Sequence, residues 1–303
     1  MRKREPIGYV YLAPALISMA VLSFFPIALT VYYAFTNFNL NHFEDYKFVG
    51  FKNFVDILTG PFKEVFAPTF AWTFFFALIT VLLNFSVGLL LAVLLNNKFM
   101  KETNIYRSIL IIPWAIPGTI AALAWQGLLN EEYGAINMLL KTLHIHPIPW
   151  ATDPFWAKVS VFIVNLWLSY PFMMNAALGA LQSIPTELYE VAEIDGAGWF
   201  TKLFKITIPM IVPAALPIVI SSFAYSFNNF NVVYLVTGGG PARLDTQFAG
   251  HTDLLVSATY KLTMQFYRYD LASAMSIIIF FIVGTISLIN MKLTRAFEGG
   301  VRE

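Results

Sequence analysis

Six stretches of this chain, each 20 or more residues long, contain no Asp, Glu, Lys or Arg: residues 10–36, 71–96, 108–129, 160–182, 208–236 and 271–290. All 19 basic and 18 acidic residues fall between or beyond them. A helix needs ~20 mostly apolar residues to cross the hydrocarbon core of a bilayer. Soluble chains are about one-quarter charged; this one is 12% charged and 58% hydrophobic. No single soluble core can hide that much apolar surface. In lipid every backbone polar group must be satisfied internally, which selects helices for the spans. The expected fold is an all-α integral membrane protein, one transmembrane domain over residues 1–303 with six spans.

The charges that remain set an orientation. Arg2, Lys3 and Arg4 precede the first run, which favours a cytoplasmic N-terminus. An even number of spans returns the C-terminus, with Lys292, Arg295 and Arg302, to the same side. On this topology the cytoplasmic segments hold 11 Lys and Arg in about 58 residues and the outer ones 8 in about 97, a bias of the expected sign. The first run is too long for a signal peptide, and no A-x-A-like site closes it. Outer loops are expected at 37–70, 130–159 and 237–270, with Trp150, Trp156 and Tyr260 as interfacial anchors.

Several chemistries are excluded. There is no cysteine, hence no disulfide, Cys-ligated zinc or thiol nucleophile. A net charge of +1 gives no bulk attraction to nucleic acid. The phosphate-binding pattern G-x-x-x-x-G-K-[ST] is absent, and Gly238-Gly239-Gly240 is not followed by Lys-Ser or Lys-Thr. No run carries an ionisable residue for a proton relay. His144 and His146 lack companion ligands and read as loop residues, so no metal site and no catalytic residue is expected. Sodium coupling through carbonyls and hydroxyls stays open, and the economical expectation is that energy comes from another subunit.

Residues 185–209, PTELYEVAEIDGAGWFTKLFKITIP, form a charged island between two of the uncharged runs. Pro185 suits a first helical turn, with Ser183 or Thr186 as candidate caps. Glu187 and Glu190 lie where the helix dipole favours negative charge. Leu188, Val191 and Ala192 make a short apolar stripe at i, i+3 and i+4. Gly196 and Gly198 permit the left-handed backbone that ends a helix. Residues 199–208 read as a second helix, and Pro209 starts the next span. The prediction is a helix–turn–helix between spans four and five.

This stretch resembles the EAA loop of importer-type ABC permeases: E-A-A, three residues, G, nine residues, I-x-L-P. Glu190, Ala192, Gly196, Ile206 and Pro209 fall in register, with Val191 for the second Ala and Ile208 for Leu. The resemblance implies a cytoplasmic coupling loop, with Glu187, Glu190, Ala192, Asp195, Gly196 and Gly198 meeting an ATPase subunit. Further stretches extend it: NLWLSYPF (165–172), ALQSIP (180–185), SFAYSFNNF (222–230), GGP before Ala242 and TDLL (252–255). Together these are similar to the MalF type of permease subunit in maltose and maltodextrin importers. The likeness is dense from Asn165 onward and looser before, where LIIPWAIPGTIAALAW (110–125) fits sugar permeases generally. Some members carry extra N-terminal spans and a large domain between spans; neither is evident here.

Two polar stripes cross the fourth and fifth runs. Asn165, Leu168, Ser169 and Phe172 share one helical face at i, i+3, i+4 and i+7, and Ser222, Tyr225, Ser226 and Asn229 repeat the spacing. Spacing alone leaves two readings open. Such residues glue neighbouring membrane helices, or they line a path for an uncharged polyhydroxylated solute. The resemblance implies the second, since the eight positions match those lining the sugar site of MalF-type subunits. Ser169 there replaces Gly, Phe172 Tyr, Tyr225 Phe and Ser226 Asn. Pro113, Pro117, Pro171, Pro213 and Pro217 fit both static kinks and hinges.

The resulting expectation is a non-enzymatic permease subunit of an ABC importer for maltose or maltodextrin, in the inner membrane of a prokaryote with both termini cytoplasmic. It implies a MalG-like second permease subunit, two MalK-like ATPase subunits and an extracytoplasmic sugar-binding protein. No cofactor is expected on this chain; ATP and Mg²⁺ belong to the ATPase. Another neutral oligosaccharide or a polyol is the alternative cargo, and a stand-alone secondary sugar transporter the alternative class.

Overall fold

The computed structural model describes residues 7–97 and 100–293. Arg2, Lys3, Arg4, Arg295 and Arg302, on which much of the expected orientation rests, lie outside them. The described chain is helical, with two isolated bridges, Thr36–Phe48 and Ala242–Gly250.

The first run becomes α1 (Ile7–Met19), a π-helical turn (Ala20–Phe24) and α2 (Phe25–Ala34). Next come α3 (Lys52–Leu58), α4 (Lys63–Leu95), α5 (Thr103–Ala115), α6 (Gly118–Leu128) and α7 (Ala135–Thr142). Then follow α8 (Pro154–Gln182), α9 (Thr186–Ile194), α10 (Trp199–Lys202), a second π turn (Leu203–Thr207) and α11 (Ile208–Phe227). The chain closes with α12 (Phe230–Thr237), α13 (Leu255–Met264) and α14 (Tyr269–Leu293). Five helical runs are long and apolar enough to cross a membrane: Val10–Ala34, Lys63–Leu95, Pro154–Gln182, Trp199–Phe227 and Tyr269–Leu293. The pair α5–α6, bent by 90°, makes the sixth. Six spans therefore hold, but the second and fourth start earlier than expected, at Lys63 and Pro154, and the third and fifth differ in shape.

The third run is broken, not straight. Pro117 cannot donate to the carbonyl of Pro113, and a residue before proline is pushed out of the helical region; Ile116 accordingly sits at ψ 136°. The fifth run ends at Phe227, and residues 230–237 form a separate helix. Residues 199–208 do not make a free-standing helix either, since α10 runs through the π turn into α11 as one span. Both π turns end two residues before a proline, Pro26 and Pro209. The missing proline N–H lets the hydrogen-bond ladder slip by one residue there.

The chain divides into two compact units. Among the described residues, one comprises 7–66 and 259–281, the other 67–97, 100–258 and 282–293. In the first unit, Asp270, 2% exposed, is gripped by Arg268 Nε at 2.9 Å and by Asn39 Nδ2 at 3.2 Å. Asn53 Nδ2 closes the end of α2 by donating to the carbonyls of Ala34 (2.9 Å) and Thr36 (2.7 Å).

The second unit is organised along α8, and its core has two parts. Val161 and Val164 pack with Phe76, Trp150, Val233 and Leu254. Met174, Ala177, Leu178 and Leu181 pack with Leu89, Ala92 and Ile211. Asn165, Leu168, Ser169 and Phe172, between these two sets on α8, line a cavity instead. At Gly88, α4 comes so close to α8 that a Cβ there would stand 2.7 Å from Met173 Cβ and from the Met174 nitrogen. Trp150 is not an interfacial anchor: it is 7% exposed, and its indole Nε1 donates to Asn137 Oδ1 at 3.0 Å.

Candidate functional site

The cavity has a volume of about 980 Å³ and lies wholly within the second unit. Its walls come from α4, the α5–α6 break, α8, α11 and the start of α12. All eight stripe residues line it: Asn165, Leu168, Ser169, Phe172, Ser222, Tyr225, Ser226 and Asn229. None of its lining residues is charged.

One part of the stripe geometry needs correction. Asn229 is not on α11 with Ser222, Tyr225 and Ser226; it caps α12, with Oδ1 accepting from Val232 N–H at 3.4 Å. Asn228 leaves the helical region at φ −106°, ψ 23°, and Asn is a favoured cap residue. The side chain still reaches the cavity, where its Nδ2 donates to Asn165 Oδ1 at 2.7 Å. Two helices thus meet through a pair of carboxamides. Asn165 and Ser226 are buried, whereas Tyr225 is 76% exposed.

Several lining residues escaped the stripe argument. Trp114 faces Phe172 with ring centroids 6.1 Å apart, giving an aromatic corner between α5 and α8. Residues 113–118 bring the broken backbone of the third span to the wall. Asn84 on α4 and Ser221 on α11 add polar groups. Ser221 Oγ accepts from Asn290 Nδ2 at 2.9 Å, which ties α11 to the end of α14. Thr73, Thr80 and Asn84, at i, i+7 and i+11, were the available signal for Asn84 in an otherwise apolar run.

The charged loop keeps the expected first helix and glycine turn, but its second helix is the start of the next span. Helix α9 ends in a turn where Ala197 N–H donates to Ala192 O at 2.8 Å and Gly196 adopts φ +76°. Neither Ser183 nor Thr186 caps it; Pro185 holds the cap position without a side-chain bond. Ser183 instead closes α8, its Oγ donating to Ala180 O at 2.7 Å. Across the turn Lys202 Nζ pairs with Glu193 Oε1 at 2.7 Å, and the Tyr189 and Thr207 hydroxyls meet at 3.0 Å. Glu187, Glu190, Asp195, Gly196 and Gly198 are exposed. So are large apolar side chains on the same element: Val191, Ile194, Phe200 and Phe204 are 57%, 85%, 70% and 62% exposed.

Residues 84–303 match the family described as "Binding-protein-dependent transport system inner membrane component". GanP of Bacillus subtilis (strain 168), a galactooligosaccharides transport system permease protein, is 40% identical over 97% of this chain and 71% of its own length. MalF of Salmonella typhimurium, a maltose/maltodextrin transport system permease protein, is 42% identical over 82% of this chain; the match spans 49% of that relative's length. Among solved structures, a bacterial ABC transporter importing the acidic polysaccharide alginate shares the fold, at TM-score 0.77 and 23% identity, over 96% of this chain and 95% of that one. With the broken third span, the uncharged cavity and the glycine-turned loop in place, the chain belongs to the family of inner membrane components of binding-protein-dependent transport systems.

Proposed function

We propose that this chain is a permease subunit of an ABC importer for a neutral oligosaccharide, and that the eight stripe residues touch the sugar. One observation carries the reading: the cavity combines carboxamides, hydroxyls and aromatic rings with no charged lining residue. Asn offers donor and acceptor to sugar hydroxyls, and aromatic faces cover the apolar side of a pyranose. A volume of about 980 Å³ is ample for a short oligosaccharide. An acidic polysaccharide would find no cation here.

The loop of residues 185–209 supports coupling to ATP. Exposed apolar side chains beside exposed carboxylates suit docking into a partner's cleft rather than contact with water. Glu187, Glu190, Ala192, Asp195, Gly196 and Gly198 form the contact in this reading. Closure of two ATPase subunits around ATP and Mg²⁺ moves α9 and, through α10 and the π turn, α11. The wall carrying Ser222, Tyr225 and Ser226 shifts against α8. A second permease subunit supplies the other half of the pathway, and a binding protein delivers sugar from outside the inner membrane.

Maltose or maltodextrin is the favoured cargo, because the motifs quoted from Asn165 onward match that type. A galactooligosaccharide is the second reading, favoured by GanP, whose match covers more of this chain. Proteoliposomes holding the full importer decide between them. ATP-dependent uptake of maltotriose is the expected result. Uptake of a galactotriose alone replaces the cargo, and uptake without ATP or the partner subunits overturns the importer reading.

A further inference from the structure

Asn84 sits two-thirds of the way along α4, on a helix that neither polar stripe includes. It is 4% exposed, and its Oδ1 has no hydrogen-bond partner among the described residues. A buried carbonyl oxygen without a donor is a costly state that folded proteins rarely keep. Asn84 also lines the cavity, together with Asn165, Ser169 and Met173. The contrast with Asn165 is informative, since that residue's Oδ1 is already engaged by Asn229 at 2.7 Å. Asn84 therefore holds an unengaged acceptor at the cavity wall, closed off as the side chain stands and brought to the cavity by rotation of the amide about its Cβ–Cγ bond.

Thr80, one helical turn away, differs in its place relative to the cavity. Its Oγ1 is likewise buried and without a partner, yet Thr80 does not line the cavity. The close packing of α4 on α8 at Gly88, one turn beyond Asn84, fixes the distance of this wall from the Asn165 stripe.

We propose that Asn84 is a specificity-determining residue, whose Oδ1 accepts a hydrogen bond from a hydroxyl of the transported sugar. This rests on the neutral-oligosaccharide reading above. A solute with a hydroxyl at that place satisfies the oxygen; one without it leaves the oxygen stranded and is rejected.

The test uses the complete importer in proteoliposomes, with maltotriose and a galactotriose as probes. Asn84→Leu keeps the side-chain volume and removes the amide. The expected result is a fall of about tenfold in uptake of the sugar the unaltered importer carries, the loss of one hydrogen bond, with an unchanged or raised melting temperature. Thr80→Val is expected to keep full uptake. A second arm uses the absence of cysteine in this chain. Modification of an Asn84→Cys variant by a methanethiosulfonate, read as a mass shift of this chain, is expected to slow at least fivefold in saturating sugar. Normal uptake by Asn84→Leu, or labelling at position 84 that sugar does not slow, overturns the assignment while the sugar reading stands. Uptake of neither probe by the unaltered importer overturns both.

Discussion

Asn229 Nδ2 donates to Asn165 Oδ1 across 2.7 Å, joining the cap of α12 to the middle of α8. The same Asn229 holds the first turn of its own helix through Oδ1. One side chain therefore serves both the local fold and the cavity wall, and substitution can separate the two. Asn229→Ser keeps a capping oxygen but is too short to reach Asn165; Asn229→Ala loses both. Ala is expected to cost about 1 kcal/mol of stability and Ser only a few tenths. Both should reduce sugar uptake about tenfold. Thermal unfolding and uptake of the two variants, measured side by side, check this; normal transport by the Ser variant would return Asn229 to a purely structural role.

Gly196 stands at φ +76°, where an L side chain is strained and proline cannot go. Gly196→Pro must open the turn between α9 and α10 and separate Glu193 from Lys202. The expected outcome is an importer that either fails to retain its ATPase subunits on purification or hydrolyses ATP without moving sugar. Gly196→Ala should be milder, at about 1–2 kcal/mol of local strain. Intact assembly with normal sugar moved per ATP in the Pro variant contradicts the coupling role.

Gly88 is demanded by packing, not by dihedral angle. A methyl group there meets Met173 and the Met174 backbone at 2.7 Å, so α4 must move off α8. Gly88→Ala is expected to destabilise by about 1–3 kcal/mol, and Gly88→Leu to block assembly. Because α4 also carries Asn84, residual uptake by Gly88→Ala should be selective for smaller sugars. Melting temperature and a sugar-length series read both effects.

Glu131 gives a pH signature. Burial pushes its carboxyl pKa up, but the N–H groups of Ala151 and Thr152 and the Thr152 hydroxyl outweigh that and hold it below its ordinary value. The folded state then binds fewer protons than the unfolded one in acid. The resulting stability is present above the ordinary carboxylate pKa and fades as pH falls through the lower folded value. The group is half-buried at the surface and screened by solvent, so Glu131→Gln should cost no more than about 1 kcal/mol at pH 7. That difference should vanish near the acid limit. A constant difference in melting temperature from neutral to acid pH would show that charge is not the cause.

Much of this architecture was legible because lipid is a strict solvent. Charge-free runs located all six spans, and two glycines with their acidic flank located the loop. The breaks were less visible. Pro117 and Asn228–Asn229 sit inside runs whose hydropathy is continuous, and hydropathy does not register where a ladder of hydrogen bonds stops. Helix α13 was missed because residues 255–264 mix polar and apolar positions in a stretch expected to be loop. Trp150 was assigned to the interface by its place near a span end, yet Asn137 gives its indole a buried partner. At the cavity, i, i+3, i+4, i+7 spacing gathered eight lining residues. It did not gather Asn84, whose polar neighbours Thr73 and Thr80 are spaced by seven and four residues, or the Pro113–Gly118 wall, where the helix is broken.

The 90° bend between α5 and α6 has a consequence for how relatives of this chain should be compared. Where a helix stops, its last carbonyls and the next helix's first amides lose their intrahelical partners. At this bend that backbone borders the cavity. Non-helical backbone at membrane depth is tolerated where it is enclosed by protein or lines a water-filled space. Part of the cavity wall here is therefore main chain, which no side-chain substitution erases. Two homologues with different residues at positions 113–118 can present the same amides and carbonyls to a solute. A one-residue insertion at the bend would rewrite that surface while leaving every stripe residue in place.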